Sequence, residues 1–246
     1  MLSVRPDVSG RFSVFIPDDL FPAAAVGLDT DALIKGAARC VEDVAQRGAN
    51  YSPIQGAAYH YLTDVAKGRN VRVLMTYTDS LDRLAAWFVQ LWAESLGKEG
   101  NARHHTPPWG RPTSTCSCSC TWRDRRTRSS RSSRSRTTRG ISPRAYEDLE
   151  SVGYLGSHTM AELPNVESDA TRNARTEAGR PNCTIKLGAI DEEHLGYLMQ
   201  ALEVQTAVAG SLYNRVNLFG QPRVEARKRT TYSRLGRPGY QNAWGM

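Results

Sequence analysis

Between Asn101 and Gly140 the chain has no Leu, Ile, Val, Met, Phe or Tyr, and no Lys or Glu. Such a stretch cannot offset the entropy of ordering its backbone, so it is expected to be disordered and to add no packed core. Elsewhere other things are missing. No apolar run approaches the roughly 18 to 20 residues that span a bilayer, which argues against a membrane partner. The opening "MLSVRPDVSG" lacks the apolar centre of a secretory signal, and the cytoplasm is the expected location. Cysteine is scarce outside the hydrophobe-free segment, where Cys40 and Cys183 read as thiols of a reducing compartment. Inside it, Cys116, Cys118 and Cys120 alternate as "CSCSC". That spacing does not turn two thiolates towards one tetrahedral ion, and near neighbours make strained disulfides. Neither a metal site nor a disulfide framework is expected.

What is present is unevenly spread. The 246 residues carry a formal net charge of +7, which by itself would point to a polyanionic partner. Residues 101 to 140 hold ten Arg against one Asp, so the rest of the chain has a net charge of −2. The arm "RRTRSSRSSRSRTTRG" lacks the aromatic platforms on which bases stack. Nucleic acid is therefore disfavoured as a partner, although an arginine-serine arm binding RNA electrostatically stays open as an alternative.

The flanks read as ordinary globular chain. "DTDALIKGAARCVEDVAQRG" predicts a helix capped at Asp29 or Thr30 and closed by Gly48. "PIQGAAYHYLTDVAKGRN" predicts a second helix closed by Gly68, and "VRVLMTY" a buried strand over 71–77. "SLDRLAAWFVQLWAESLGK" follows, with Leu81, Leu84, Ala85, Phe88 and Leu91 on one stripe. Beyond the hydrophobe-free segment come a helix stopped by Gly179 and Pro181, the strand "CTIKLGAI", and a long helix from Asp191 to about Leu212. Alternating strands and helices predict an α/β layered domain around a mainly parallel sheet.

Four stretches then carry a family resemblance: "GRFSV" at 10–14, "FVQLWAESLGK" at 88–98, "TEAGRPNCTI" at 176–185 and "FGQPRVEARK" at 219–228. Together they resemble bacterial glucose-6-phosphate isomerase over nearly all of residues 6–240 apart from the hydrophobe-free segment. The resemblance implies an incomplete sugar-isomerase-type α/β domain plus a C-terminal helical segment, with the family's first sugar-isomerase domain and its phosphate loop absent. Residues 1–100 would be the first part of that domain, 101–140 an aberrant stretch, and 141–246 the remainder with the helical segment.

The resemblance also explains that stretch. The family has a segment close to "LGATDQHxQLQLYMEGP" where this chain has "WGRPTSTCSCSCTWRD". "CSCSC" written TGC AGC TGC AGC TGC and read two bases later gives CAG CTG CAG CTG, or Gln-Leu-Gln-Leu. The segment is read as the right DNA in the wrong frame, slipping between Lys98 and His104 and returning between Arg139 and Pro143.

For chemistry, the resemblance implies aldose–ketose isomerisation of a sugar phosphate through a cis-enediol, without a cofactor, in a homodimer. Glu94 would be the proton-transferring base, Arg11 the cation facing the enediolate, and Lys228 a ring-opening group. Gln221 and Gln90 would contact substrate. Spacing alone leaves Glu94 two readings: a carboxylate bordering the apolar stripe, or an exposed partner of Lys98 at i+4. The chain departs from the family motifs at Ser9, Gly220 and Arg223, and Arg215 is extra. The family's catalytic His falls where Ser114 and Thr115 stand, while His60, His158 and His194 match no motif. Two other functions remain as alternatives: an arginine-rich nucleic-acid-binding protein and a non-catalytic sugar-phosphate-binding domain.

Overall fold

The computed structural model describes residues 8–69, 72–97, 105–106, 119–124, 142, 149–160, 162–213 and 222–240. Helix α1 (Pro17–Ala25) begins on a proline, with Asp18 and Asp19 in its first turn where the dipole favours anions. The sequence reading had no helix there. Helix α2 (Thr30–Arg47) is capped by Asp29, whose carboxylate accepts the Ala32 N–H at 2.9 Å, and ends at Gly48 with φ of 50°. Helix α3 (Ser52–Val65) closes before Gly68, whose φ of 62° lets its N–H reach the Asp64 carbonyl at 2.8 Å. Strand β1 (Arg72–Thr76), helix α4 (Asp82–Leu96), and strands β2 (His105–Thr106) and β3 (Ser119–Asp124) follow. Then come α5 (Glu150–Gly153), α6 (Glu162–Glu177), β4 (Asn182–Leu187), α7 (Glu192–Leu212) and α8 (Pro222–Arg234).

The strands form one sheet in the order β2-β1-β3-β4, and every pairing is parallel, as the alternation of elements predicts. Two of its strands come from the segment expected to add nothing. Leu74 of β1 stands opposite Cys120, and Cys120 opposite Cys183 of β4. The difference has a physical reason: a strand's ladder is made by backbone groups, so a slot between β1 and β4 can be filled without Leu, Ile, Val, Met, Phe or Tyr. The rest of 101–140 lies outside the described residues.

The main core lies between the sheet, α4 and α7. Leu74, Phe88, Leu91, Trp92 and Leu96 meet Leu198, Leu202 and Ala209. Phe88 and Trp92 meet edge to face with centroids 5.8 Å apart; burying each such side chain is worth roughly 1.5 to 3 kcal/mol. Arg72 opens β1 and is fully enclosed beneath Trp92, with its guanidinium 5.5 Å from that ring. It donates to the His60 carbonyl and to the Tyr213 hydroxyl (3.1 Å), and lies 3.6 Å from Asp64. Tyr213 in turn donates to Asp64 at 2.7 Å, so the buried cation is matched by a hydrogen-bonded anion. Burial, with Arg72 adding to it, holds the His60 imidazole down to about 3, so His60 is a neutral core residue.

A second cluster joins α2, α3 and α7. The Cys40 thiol lies 3.1 Å from the Tyr51 hydroxyl, which donates to Tyr197, and Tyr197 donates to Asp43 at 2.6 Å. Glu203 sits close enough to act on Cys40, is 8% exposed, and has an Oε1 with no hydrogen-bond partner. Burial pushes its carboxyl up to about 8. The folded-state value lies above the ordinary 4.5, so below pH 4.5 both states hold the proton and folding carries no cost. As pH rises towards 8 the unfolded chain ionises first, and stability falls until the folded carboxyl also ionises. The loss should be on the order of 5 kcal/mol, at about 1.4 kcal/mol per unit between 4.5 and about 8. Glu203→Gln should therefore raise the denaturation midpoint at pH 8 and leave it nearly unchanged at pH 4. Parallel midpoint-against-pH curves for the two proteins would refute this. Among the described residues no helix is long and apolar enough to cross a membrane.

Candidate active site

Three of the five residues singled out from the sequence come together at the C-terminal end of α4. Arg11 lies on a single 3₁₀ turn, Gly10–Phe12, that packs against α4 and leaves the residue 4% exposed. Its Nε donates to the Ser95 Oγ at 2.8 Å and its Nη1 to the Ser9 Oγ at 2.9 Å. Nη1 then stands 3.9 Å from Glu94 Oε2. On the other side of Glu94, one turn back, the Gln90 amide donates to Oε1 at 3.0 Å. Burial lowers the Arg11 pKa from its ordinary value and the neighbouring Glu94 carboxylate opposes that shift. A guanidinium keeps its charge across this change. The result is a fixed cation, held by two hydroxyls, beside a carboxylate that an amide orients.

Glu94 stands at the edge of the apolar stripe, one turn after the buried Leu91 and beside the buried Ser95. The stripe turns inward through Leu91, Trp92, Ser95 and Leu96, and the Glu94 side chain is left 39% exposed. Its partners are Arg11 and Gln90; Lys98 lies outside the described residues. Ser95 is the residue the sequence reading missed, although a signal existed: a small polar side chain on a core stripe, fully buried, needs a partner. Ser9, read as a departure from the family pattern, supplies an acceptor that holds Arg11.

The remaining described candidate, Lys228, has no hydrogen bond or ion pair with Glu94 or Gln90. Lys228 is exposed on α8, and Gln221 lies outside the described residues, as do Ser114 and Thr115. His158 is half exposed beside Glu162, and the His194 Nδ1 sits 2.6 Å from Asp191. Neither histidine meets Glu94. Among the described residues no group of three His, Cys, Asp or Glu is placed to hold a metal ion.

The parallel sheet flanked by helices makes this an α/β domain, and the solved structures that share it place it with the sugar-isomerase type, present in part. Its relatives are more particular: the chain is homologous to glucose-6-phosphate isomerases along nearly its whole length. It is 55% identical to the glucose-6-phosphate isomerase of Rubrobacter xylanophilus, over 98% of this chain and 56% of the relative. With that of Carboxydothermus hydrogenoformans it shares 32% identity over 97% of this chain and 53% of the relative. Among solved structures, a hypothetical protein from Thermus thermophilus superposes with a TM-score of 0.75 at 29% identity, covering 94% of this chain and 56% of that one. A glucose-6-phosphate isomerase from Chlamydia trachomatis shares the fold with a TM-score of 0.67 at 15% identity, covering 95% and 48%. The chain thus spans about half the length of the curated relatives it matches. No family model matches it.

Proposed function

We propose that this chain is part of a glucose-6-phosphate isomerase, interconverting glucose 6-phosphate and fructose 6-phosphate by proton transfer between C2 and C1. The observation that carries the reading is the Arg11–Glu94 pair, with Nη1 and Oε2 3.9 Å apart at the last turn of α4. A base that lifts a proton from carbon leaves negative charge on the substrate oxygens, and a cation already in place stabilises that charge without reorganising. Glu94 is the base in this reading and Arg11 faces the enediolate. Gln90 holds the carboxylate in position and contacts substrate, with Gln221 a second contact and Lys228 assisting ring opening. The assembly is a cytoplasmic homodimer, and residues 101–140 are an out-of-frame stretch of the same gene.

The chain alone should be inactive. Binding energy from the substrate's phosphate is what positions a sugar over its base, and half a relative's length offers only part of that binding surface. In a restored enzyme, with the frame corrected over 101–140 and the unmatched part of the Rubrobacter relative supplied, turnover should appear. A coupled assay for fructose 6-phosphate tests both. Turnover by the chain alone would refute the expected inactivity, and none by a folded restored enzyme would refute the isomerase reading. Resequencing the gene through codons 98 to 143 tests the frame separately, and one intact frame through confirmed bases would exclude the slip.

A further inference from the structure

Glu94 and Ser95 are consecutive on α4 and differ in surroundings: the Glu94 side chain is 39% exposed, whereas Ser95 is fully buried. One residue reaches both. Arg11 Nε donates to Ser95 Oγ at 2.8 Å, and its Nη1 lies 3.9 Å from Glu94 Oε2. The last turn of α4 therefore carries the carboxylate and also holds the cation beside it. That turn is closed at Gly97, whose N–H donates to the Ala93 carbonyl at 2.8 Å. Arg11 and Ser95 are 84 residues apart in the chain, so their bond is a tertiary tie and not a local turn.

What the tie fixes follows from the shape of a guanidinium. The group is planar and rigid and turns as a unit about the bond from Cδ to Nε. Nε carries a single hydrogen in that plane, so an acceptor placed on it sets where both Nη atoms point. The Phe12 ring, 5.6 Å from the guanidinium carbon, is a broad contact that selects no single direction. Ser9 accepts from Nη1, but it lies two residues from Arg11 at the start of the same 3₁₀ turn, so it travels with that turn. Ser95 belongs to the helix that bears Glu94, and its hydroxyl sets the guanidinium relative to α4 itself.

On the isomerase reading of Glu94 and Arg11, on which this rests, we propose that Ser95 is a positioning residue of the reaction: its hydroxyl oxygen aims the Arg11 guanidinium at the side of Glu94 where charge develops on the substrate. Being fully buried, Ser95 touches no substrate itself. A cation aimed in advance stabilises developing charge without turning at the moment of reaction, so loss of aim costs rate and not ground-state binding. The requirement is for an acceptor at that point. Alanine would fill most of the same space and hold nothing.

In the restored enzyme Ser95→Ala should lower kcat by about tenfold to a hundredfold and leave KM within about twofold of the parent. Ser95→Thr keeps the acceptor but adds a methyl group at a fully buried site, so a role in packing alone would rank Thr below Ala. The proposed role ranks Thr above Ala in kcat, whatever the order of their thermal midpoints. A second measurement needs no turnover. In the 246-residue chain the Arg11 Nε–H signal, followed by nitrogen-15 NMR and assigned by its loss in Arg11→Lys, should exchange slowly with solvent. Its exchange should quicken by about tenfold or more in Ser95→Ala. If Ser95→Thr does not fold, Ser95→Ala decides on kcat and exchange together. An unchanged kcat in folded Ser95→Ala enzyme, or a raised KM at constant kcat, overturns the proposal and leaves the isomerase reading standing. Equal Nε–H exchange in the parent and Ser95→Ala overturns it with or without turnover. No turnover by the folded restored parent overturns the isomerase reading and this proposal with it.

Discussion

Glu94→Gln in the restored enzyme should lower kcat by about 10³ to 10⁴ while changing KM little. Glutamine keeps the shape of the side chain and one acceptor oxygen, so the 3.0 Å bond from Gln90 can persist. It cannot take a proton from carbon, and a carbon acid offers no easy alternative route. General-base catalysis is worth roughly 10² to 10⁴ in rate, and the high end applies where no other group can substitute. Affinity should hold because the contacts that anchor a sugar phosphate lie elsewhere in this reading, and a mutation that removes only transition-state interaction lowers kcat and kcat/KM alike. Steady-state kinetics on the variant decides the matter. If more than about a tenth of kcat survives, Glu94 is not the base.

The site's accessibility follows from its place in the fold. Glu94 sits in the last turn of α4, and its partner Arg11 arrives on a separate turn some eighty residues earlier. Joining them takes two hydroxyls, Ser9 and Ser95, one on each side of the guanidinium. The cation is buried while the carboxylate is open, which is the asymmetry a base facing a substrate needs: a rigid electrostatic partner behind and room in front.

Much of this was legible before any coordinates. A start at Asp29 or Thr30, another at Asp191, and the stops at Gly48, Gly68 and Gly179 follow from local chemistry; the structure makes Asp29 and Asp191 the caps and places helix ends by each glycine. The parallel sheet followed from alternation. The α4 stripe gave Phe88 and Leu91 as core, and the motif order brought Arg11 to Glu94. Other features were illegible for stated reasons. A strand such as Ser119–Asp124, without aliphatic or β-branched apolar residues, leaves only a weak signature when its place is held by backbone pairing. Helix α1 carries Pro22 within it, so the pattern reads as broken. The exposure of Glu94 depends on a half-turn of helix phase that motif matching does not resolve. The hold of Ser95 on Arg11 depends on how the Gly10–Phe12 turn sits against α4, which no single-sequence period encodes.

The same limit applies to the contact on which the helical layer depends, and there the expected effect is largest. Helices α2 and α7 cross at Gly36 and Gly196. A Cβ on Gly196 would lie 1.9 Å from the Leu33 carbonyl oxygen, and one on Gly36 would lie 1.9 Å from that of Glu193. Both obstacles are backbone atoms, so no side chain can swing aside and the axes themselves must part. Neither position has a positive φ, so the requirement is for space and not for backbone freedom. Parting the axes loosens Leu33, Ala37 and Cys40 from α7 and breaks into the Tyr51–Tyr197–Asp43 chain of hydroxyl bonds. Overpacking commonly costs about 1 to 3 kcal/mol where flexible neighbours can adjust, and here none can. Gly196→Ala should therefore cost more than about 3 kcal/mol. Gly196→Val, with two more carbons at the crossing, should leave no cooperative unfolding transition, since a domain's whole stability is only about 5 to 15 kcal/mol. Urea titrations of the 246-residue chain and the two variants, followed by near-ultraviolet circular dichroism, measure this directly. A Gly196→Ala midpoint within error of the parent would mean that the two helices do not cross as closely as 1.9 Å implies.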